Sequence, residues 1–484
     1  MFHIVFNVNE AFVKYASVLI TSIIKNTNVK KSFKEICEEK VENFSEDSIC
    51  DFYENVKYIN LKDEQRQEGY CFHIMIDDIK EQTKDLLKNL EKELCQTYPC
   101  KIKIHIINDD EFKDCENVGA ASLNKITYYK MKIASKLDLS INKCLYLDVD
   151  MLVFGDLREL FAIDLKDKFM AGVLDWKSLD NSFFKDKENG QILSIILPNA
   201  YINTGFMLMN LDLWRLEKIE DQCMQLAKNY IPKFAEQCII NATLKGNVIR
   251  LSPKWNLLNY IIDDKHFPLR NEAYKINRFF YIPYDFMPYT KDEIREALND
   301  IKIIHLHTPK PWKNKMNVNF RTNVVEILTK NAFSKIWWDM ALNTPFFSDE
   351  LKFLKAELDN EEENICDIIE IIKIIQEIKT SIPYQMGQIL ISLKKDKSFK
   401  TRLSKINSLL KFKRNYKKED FEMLKNKISK LKDSQYFGEI KKIQNHLSYL
   451  LGTEFIDNPY KFLFKLKEIL KRYKEQQSKN QNDK

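Results

Sequence analysis

The chain opens on an apolar run, Phe2 to Val8, in which only His3 and Asn7 are polar, and a second run follows at Tyr70–Ile76. Runs of this kind, without strict alternation, read as strands covered on both faces. Between them the period changes. Val13, Ala16, Ser17, Ile20, Ile23 and Ile24 share one helical face over residues 10–27, which Asn26-Thr27-Asn28 closes. Ile79–Cys95 predicts a second helix and Lys101–Ile107 a third strand. Ala121–Leu137 predicts a helix that leads into an apolar strand at 144–154. Strand–helix alternation predicts an α/β domain with a largely parallel sheet. Residues 29–68 are polar and read as an insertion with one or two helices. From about residue 345 the strand pattern disappears. Lys and Glu recur there at helical spacing and Ile365–Ile378 predicts a buried helix, so residues 349–484 are expected to be helical.

Composition narrows this picture. A chain of 484 residues can build one large core and a smaller domain, and with only 10 Gly and 12 Pro it has no long linker. No apolar run is long enough to span a bilayer, and Met1–Val8 lacks the basic region and cleavage site of a signal peptide. A cytoplasmic location is therefore expected. The 10 Cys are scattered without a Cys-x-x-Cys pair; Cys95 and Cys100 are the closest, and all ten read as reduced, mostly core thiols. The net charge of +6 is uneven, because residues 394–432 hold 15 Lys and Arg against 4 Asp and Glu. The rest of the chain is net acidic, so the basic character belongs to the tail.

The candidate chemistry begins at 144–154, Cys-Leu-Tyr-Leu-Asp-Val-Asp-Met-Leu-Val-Phe. Asp148 and Asp150 interrupt an apolar strand, and buried carboxylates are costly unless paired or bound to a metal. Two of them at i, i+2 on an extended backbone project the same way and suit a hard divalent cation, which in turn can hold a diphosphate.

This segment resembles the DxD motif of nucleotide-sugar glycosyltransferases, and Leu145-Tyr146-Leu147 resembles the family 8 retaining transferases. Five further segments resemble the same family in the same order, so that the likeness covers roughly residues 1–350. Phe6-Asn-Val-Asn-Glu10 matches the loop that grips uracil and ribose, with Asn9 and Glu10 at the gripping positions. Thr127–Ile133 carries Lys130 where the family commonly has a sugar-contacting Arg; Lys130 either takes up that contact or is a solvated helix residue. Ala171–Asp175 places Asp175 where a family carboxylate sits beside the transferred sugar. Tyr201–Arg215 resembles the Asn-x-Gly strand and the helix after it, with Asn203 and Gly205 facing the donor. Glu236-Gln237 stands where the family has an acid, usually Asp, followed by Gln near the anomeric carbon.

The last segment, Ile303–Trp312, resembles a His…Lys-Pro-Trp motif. His305 is the implied metal ligand, with His307 as the alternative, and Lys310 the implied phosphate contact. Thr308-Pro309 replaces the customary Gly. Trp337–Phe347 resembles the family's closing helix.

The resemblance implies a GT-A type, Rossmann-like nucleotide-sugar-binding domain over residues 1–348, with a mixed, mainly parallel sheet, followed by the helical, basic region 349–484. It implies transfer of glucose or galactose from UDP-glucose or UDP-galactose to a glycan or glycolipid acceptor, such as a bacterial lipopolysaccharide or lipooligosaccharide. Asp148, Asp150 and His305 would hold Mn²⁺ or Mg²⁺. A neutral amide is a poor nucleophile, so same-face attack is expected, with Gln237, Asp175 and Glu236 around the reacting sugar. An apolar strand with Asp-x-Asp also resembles haloacid-dehalogenase-type phosphohydrolases, but Met151-Leu152 follows the acids and the motif lies mid-chain. An inactive sugar-binding scaffold is the third reading. Tyr460–Lys474 groups Phe462, Phe464, Leu466, Ile469, Leu470 and Tyr473 on one face among basic residues. That pattern suits an anionic membrane surface or a tail bundle. No nucleic-acid recognition motif accompanies the charge.

Overall fold

The computed structural model describes residues 1–41, 47–116, 118, 125–175, 181–197, 199–258, 288–307, 310–313, 316–319, 324–327, 333–395, 399–431, 437–458, 461–462, 465–466, 468–471 and 473. The chain divides into two compact units. The larger holds the described residues up to Lys313 together with 333–355. The smaller holds 316–327 and the described residues from Ala356 onward.

In chain order the strands are β1 (Phe2–Asn7), β2 (Tyr70–Ile76), β3 (Cys100–Ile106), β4 (Lys143–Leu147), β5 (Met151–Val153) and β6 (Met170–Gly172). Then come β7 (Asn181–Asp186), β8 (Ile192–Ile196), β9 (Phe206–Asn210), β10 (Tyr230–Pro232) and β11 (Val248–Arg250). The last are β12 (Leu257–Leu258), β13 (Ile303–His305), β14 (Met316–Asn319) and β15 (Val324–Ile327).

A seven-stranded sheet in the order β11-β6-β9-β4-β1-β2-β3 forms the centre of the larger unit. β1 pairs in parallel with both β2 and β4, and β2 with β3, while β9 runs antiparallel to β4 and β6. The fold is thus α/β with a mixed, mainly parallel sheet. β1 and β2 are apolar almost throughout because both faces are covered. The helix Val13–Lys25 is buried from Tyr15 to Ile24 and packs against the helices Glu81–Leu94 and Ser334–Ala341. Two smaller sheets accompany the main one, β10-β7-β8 and β12-β13-β5.

Two local expectations need correction. Residues 144–154 are not one strand. β4 ends at Leu147, Asp148 to Asp150 turn, and β5 joins a different sheet. Ala121–Leu137 is not one α-helix either. Residues 121–124 lie outside the described residues, Ile126–Lys132 is a 3₁₀ helix, and only Ile133–Lys136 is α-helical. The segment 29–68 contains the short helices Phe33–Glu38 and Asp63–Arg66, and Phe33, Ile36 and Cys37 of the first are buried. The Val56 and Asp164 amides donate across to Ala162 and Glu54 carbonyls. Its Glu68 carboxylate also pairs at 3.1 Å with Arg158, which is fully buried. Nine cysteines are described, all free thiols; eight are buried and Cys95 is exposed.

The smaller unit is helical from Ala356 on. The helix Ser348–Thr380 is followed by Ile382–Lys395, Phe399–Asn415, Lys418–Lys430, Phe437–Gln444 and Leu447–Asp457. Its core holds Ile374, Ile375, Ile378, Tyr384, Phe421, Leu424, Ile428, Ile440 and Tyr449. Gly387 and Gly452 let Ile382–Lys395 and Leu447–Asp457 touch backbone to backbone, at Ser448 and Pro383. Of the amphipathic segment 460–474, Phe462 is buried and packs edge-on against Phe455 at 5.2 Å. Tyr460 and Phe464 lie outside the described residues.

Candidate active site

The turn that separates β4 from β5 is tied to both sheets. The Asp148 amide donates to the Gly205 carbonyl at 2.8 Å, and the Leu306 amide donates to the Asp150 carbonyl at 2.7 Å. His305, the last residue of β13, stands opposite Met151. Asp148, Asp150 and His305 thereby each bring one ligand atom within 4.8 Å of the others. His307 is outside this group and exposed, its ring 5.9 Å from that of His305.

The protonation state of His305 follows from its partners. Asn256 Nδ2 donates to Asn203 Oδ1 at 3.0 Å, which leaves Asn256 Oδ1 to accept from His305 Nδ1 at 3.1 Å. The Nε2 lone pair then points at Asp150, 3.2 Å away. Burial lowers the His305 pKa to about 4 against the pull of Asp148, so the ring is neutral near pH 7. Two carboxylates and a neutral, oriented imidazole form a donor set that fits a divalent cation such as Mn²⁺.

Lys130 is buried, not solvated. Its ammonium lies 3.2 Å from Asp148 Oδ1, 3.1 Å from Glu236 Oε1 and 3.2 Å from the Thr204 carbonyl, above the Tyr146 ring. Burial works against its charge, but Asp148 and Glu236 outweigh it and its pKa is raised. The Asp148 pKa is lowered, since Lys130, His305 and the Tyr146 hydroxyl at 2.6 Å overcome the cost of burial. Burial raises the Glu236 pKa against Lys130.

A second chain of bonds runs through the same space. Asp175 Oδ2 accepts from Asn203 Nδ2 at 2.9 Å and from Gln237 Nε2 at 3.1 Å, while Gln237 Oε1 accepts from the Thr204 amide at 3.1 Å. The helix Ala235–Leu244 that presents Glu236 and Gln237 begins at Ala235 with φ 39°, a left-handed conformation that costs about 1–3 kcal/mol. A Cβ on Gly205 would meet Asp148 Oδ2 and His305 Cε1 at 2.7 Å, so only glycine admits both groups this closely. Lys310 pairs with Asp150 Oδ2. Its position is set by aromatic packing: Trp312 stacks on Tyr15 at 4.2 Å and touches Trp337, and Trp338 Nε1 donates to the Pro311 carbonyl. Thr308 and Pro309 lie outside the described residues.

Ten of the twelve residues singled out from the sequence therefore meet in one network: Lys130, Asp148, Asp150, Asp175, Asn203, Gly205, Glu236, Gln237, His305 and Lys310. Asn9 and Glu10 stand outside this network, Asn9 bonded to the turn that follows it and Glu10 to the start of the helix Glu81–Leu94. Asn9 Oδ1 accepts from the Phe12 amide, and Glu10 accepts from the Lys80 amide and the Thr83 hydroxyl. Tyr146, present in a quoted motif but given no role there, joins the network, and so does Asn256, which lies in no motif. The only sequence signal for Asn256 is a polar residue between Trp255 and Leu257.

The model for glycosyl transferase family 8 matches residues 3–316, about two thirds of the chain. The chain belongs to glycosyltransferase family 8. A second model, described as a domain of unknown function, matches residues 306–476. Among curated relatives, a lipopolysaccharide 1,2-glucosyltransferase of Escherichia coli is 24% identical over 271 residues, 54% of this chain and 75% of that protein. A lipopolysaccharide 1,3-galactosyltransferase of Salmonella typhimurium is 24% identical over 211 residues, 41% of this chain and 58% of that protein. The chain thus spans between about half and three quarters of the curated relatives it matches. Among solved structures, the galactosyltransferase LgtC with donor and acceptor sugar analogs covers 73% of this chain and 99% of its own. It does so at 17% identity, with a TM-score of 0.46. Family membership leaves the phosphohydrolase reading without support.

Proposed function

We propose that this family 8 member moves glucose or galactose from a UDP-sugar to a saccharide acceptor with retention, in the synthesis of a surface glycan of the lipopolysaccharide type. The observation that carries the reading is the convergence of Asp148, Asp150 and His305 within 4.8 Å, inside the part of the chain that matches the family. Those three residues would hold Mn²⁺ or Mg²⁺, which when bound neutralises charge on the departing diphosphate. Lys310 stands at the Asp150 carboxylate, and although burial lowers its pKa to about 7, a bound diphosphate would favour its charged form.

The bond from the anomeric carbon to the diphosphate oxygen breaks and a bond to the acceptor hydroxyl oxygen forms on the same face. The hydroxyl proton passes to the departing phosphate oxygen. Gln237 is a neutral amide with little charge to donate, and the two amide hydrogens on Asp175 Oδ2 reduce its nucleophilicity. Their role in this reading is to stabilise the oxocarbenium-like sugar. Glu236 holds Lys130 in place. Asn203 and Gly205 line the donor site, and Asn9 and Glu10 border the end of β1 where a nucleoside would lie. The continuous network from Glu236 to Lys310 favours an active enzyme over an inactive scaffold.

UDP release from a panel of UDP-sugars, with and without Mn²⁺, tests this for the native chain and Asp150→Ala. Metal-dependent hydrolysis of one UDP-hexose, lost in the variant, is the expected result. Turnover that persists in Asp150→Ala, or no metal-dependent UDP binding at all, overturns it. Among the described residues no helix is long and apolar enough to cross a membrane. Residues 349–484 form a separate helical region in this proposal, and the basic stretch within 394–484 holds a cytoplasmic enzyme on the anionic inner face of the membrane. Full-length protein should then sediment with anionic vesicles at low salt and leave them at high salt.

A further inference from the structure

Three of the seven histidines of the chain lie on adjacent strands and belong to none of the roles assigned above. His3 is on β1, His73 on β2 and His105 on β3, and the parallel register sets His3 beside Cys71 and His73 beside Lys103. Residues paired in this way, and residues two apart on one strand, point to the same face of a sheet. His3, Cys71, His73 and His105 therefore share one face. His3 Nδ1 lies 2.9 Å from His73 Nε2, and His73 Nδ1 lies 2.9 Å from His105 Nε2. One ligand atom each from His3, Cys71 and His73 falls within 4.8 Å of the others. Cys71 and His73 are buried, at 2% and 1% exposure.

We propose that His3, Cys71 and His73 form a second metal site, separate from the Asp148–Asp150–His305 group and selective for a softer cation of the Zn²⁺ class. A thiolate with two imidazoles suits Zn²⁺, whereas the two-carboxylate site suits harder ions. Seating the ion between the two rings requires their nitrogens to part from 2.9 Å to roughly 3.3 Å, the tetrahedral spacing for Zn–N bonds of about 2.0–2.1 Å. His105 then acts as the orienting partner. It accepts from His73 Nδ1–H and so fixes the tautomer that presents Nε2 to the ion. A cavity of about 260 Å³ lined by His3, Lys103, Asp138 and Asn142 reaches the His3 side of the group. On binding, the Cys71 proton passes to solvent and the sulfur–metal bond forms, without any redox change. The ion would clip β1 to β2 at the opposite end from the Asn7–Glu10 loop.

Cobalt(II) titration of metal-free, full-length protein tests this directly. A thiolate-to-cobalt charge-transfer band arises only from a sulfur ligand, and the Asp148–Asp150–His305 group contains none. The band is expected in the native chain and in Asp150→Ala, and is expected to vanish in Cys71→Ser. His3→Gln, at a half-buried position that folding tolerates more easily, should weaken cobalt binding at least tenfold. Zn²⁺ should displace the cobalt and remove the band. Absence of the band in the native chain, or a band unchanged in both Cys71→Ser and His3→Gln, overturns the proposal.

Discussion

Replacing Lys130 by Met tests the electrostatic core of the site. The ammonium is 2% exposed and is shared by Asp148 and Glu236 at 3.2 and 3.1 Å. Removing one partner from a buried ion pair costs about 3–5 kcal/mol, because the remaining charge is left without compensation. The two orphaned acids do not weigh equally. The Asp148 side chain is 33% exposed and keeps a hydroxyl partner in Tyr146, so water and that bond take up much of its charge. Glu236 is only 10% exposed and carries most of the cost. The expected loss therefore sits near the lower bound, about 3 kcal/mol, or roughly a hundredfold in the folded-to-unfolded ratio.

The pH dependence has a definite sign. In the native chain the Asp148 pKa lies below its ordinary 3.8, so its stabilisation is present at neutral pH and is lost as pH falls through the folded value. Without Lys130 both acids shift upward and protonate more readily. The deficit of Lys130→Met should be largest at neutral pH and shrink as pH approaches the carboxylate range. Urea unfolding with a chelator present, followed by tryptophan fluorescence, measures this, because all six Trp precede residue 356. Lys130→Met/Glu236→Gln should recover part of the loss. A deficit under about 1 kcal/mol, or one that stays constant between neutral and acid pH, refutes the reasoning.

Other substitutions probe neighbouring features. Gly205→Ala should lower UDP-hexose turnover at least tenfold with little change in Tm, because the added methyl displaces Asp148 and His305 without touching the wider core. Full activity would show that the close approach is incidental. Asn256→Leu strips His305 Nδ1 of its acceptor, leaves Asn203 Oδ1 with only the Gly205 amide, and should weaken Mn²⁺ binding by about 10–100-fold, read by electron paramagnetic resonance titration. Unchanged affinity would mean that another group orients the ring. Gly387→Ala places a methyl against the Ser448 backbone and should cost about 1–3 kcal/mol or more in the helical unit. Helical circular dichroism should then melt earlier while the tryptophan transition holds; coincident, unshifted melting refutes it.

The strand–helix order of the larger unit is legible in the sequence because its central strands are covered on both faces and its helices carry an apolar stripe. Tyr70–Ile76 and Phe2–Asn7 show this most plainly. The 3₁₀ turn at Ile126–Lys132 is not legible in that way, because Tyr128, Tyr129, Lys130 and Met131 are all buried and leave no polar face to set a period. Burial also explains the ambiguity of Lys130: a lysine that bridges two acids brought in from residues 148 and 236 has no local signature. Asn256 is hidden for the same reason, since its partners lie 53 and 49 residues away. Asn9 and Glu10 stand out by their loop position, yet their side chains cap nearby backbone, a competing use that sequence alone does not rank.

The break at Asp148 accounts for the geometry of the site better than an intact strand would. On one continuous strand, Asp148 and Asp150 would share a face of the central sheet, and His305 would need to reach them across it. Turning there sends β5 out of the central sheet and into antiparallel pairing with β13, which ends at His305. The amides of Asp148 and Leu306 then tie the turn to Gly205 on one side and to Asp150 on the other. The third candidate ligand is thus delivered by strand register and not by a flexible loop, and Gly205 is needed because that register brings Asp148 and His305 against the same backbone atom. A substitution that weakens β5–β13 pairing should consequently separate His305 from both aspartates at once, even though it alters no ligand.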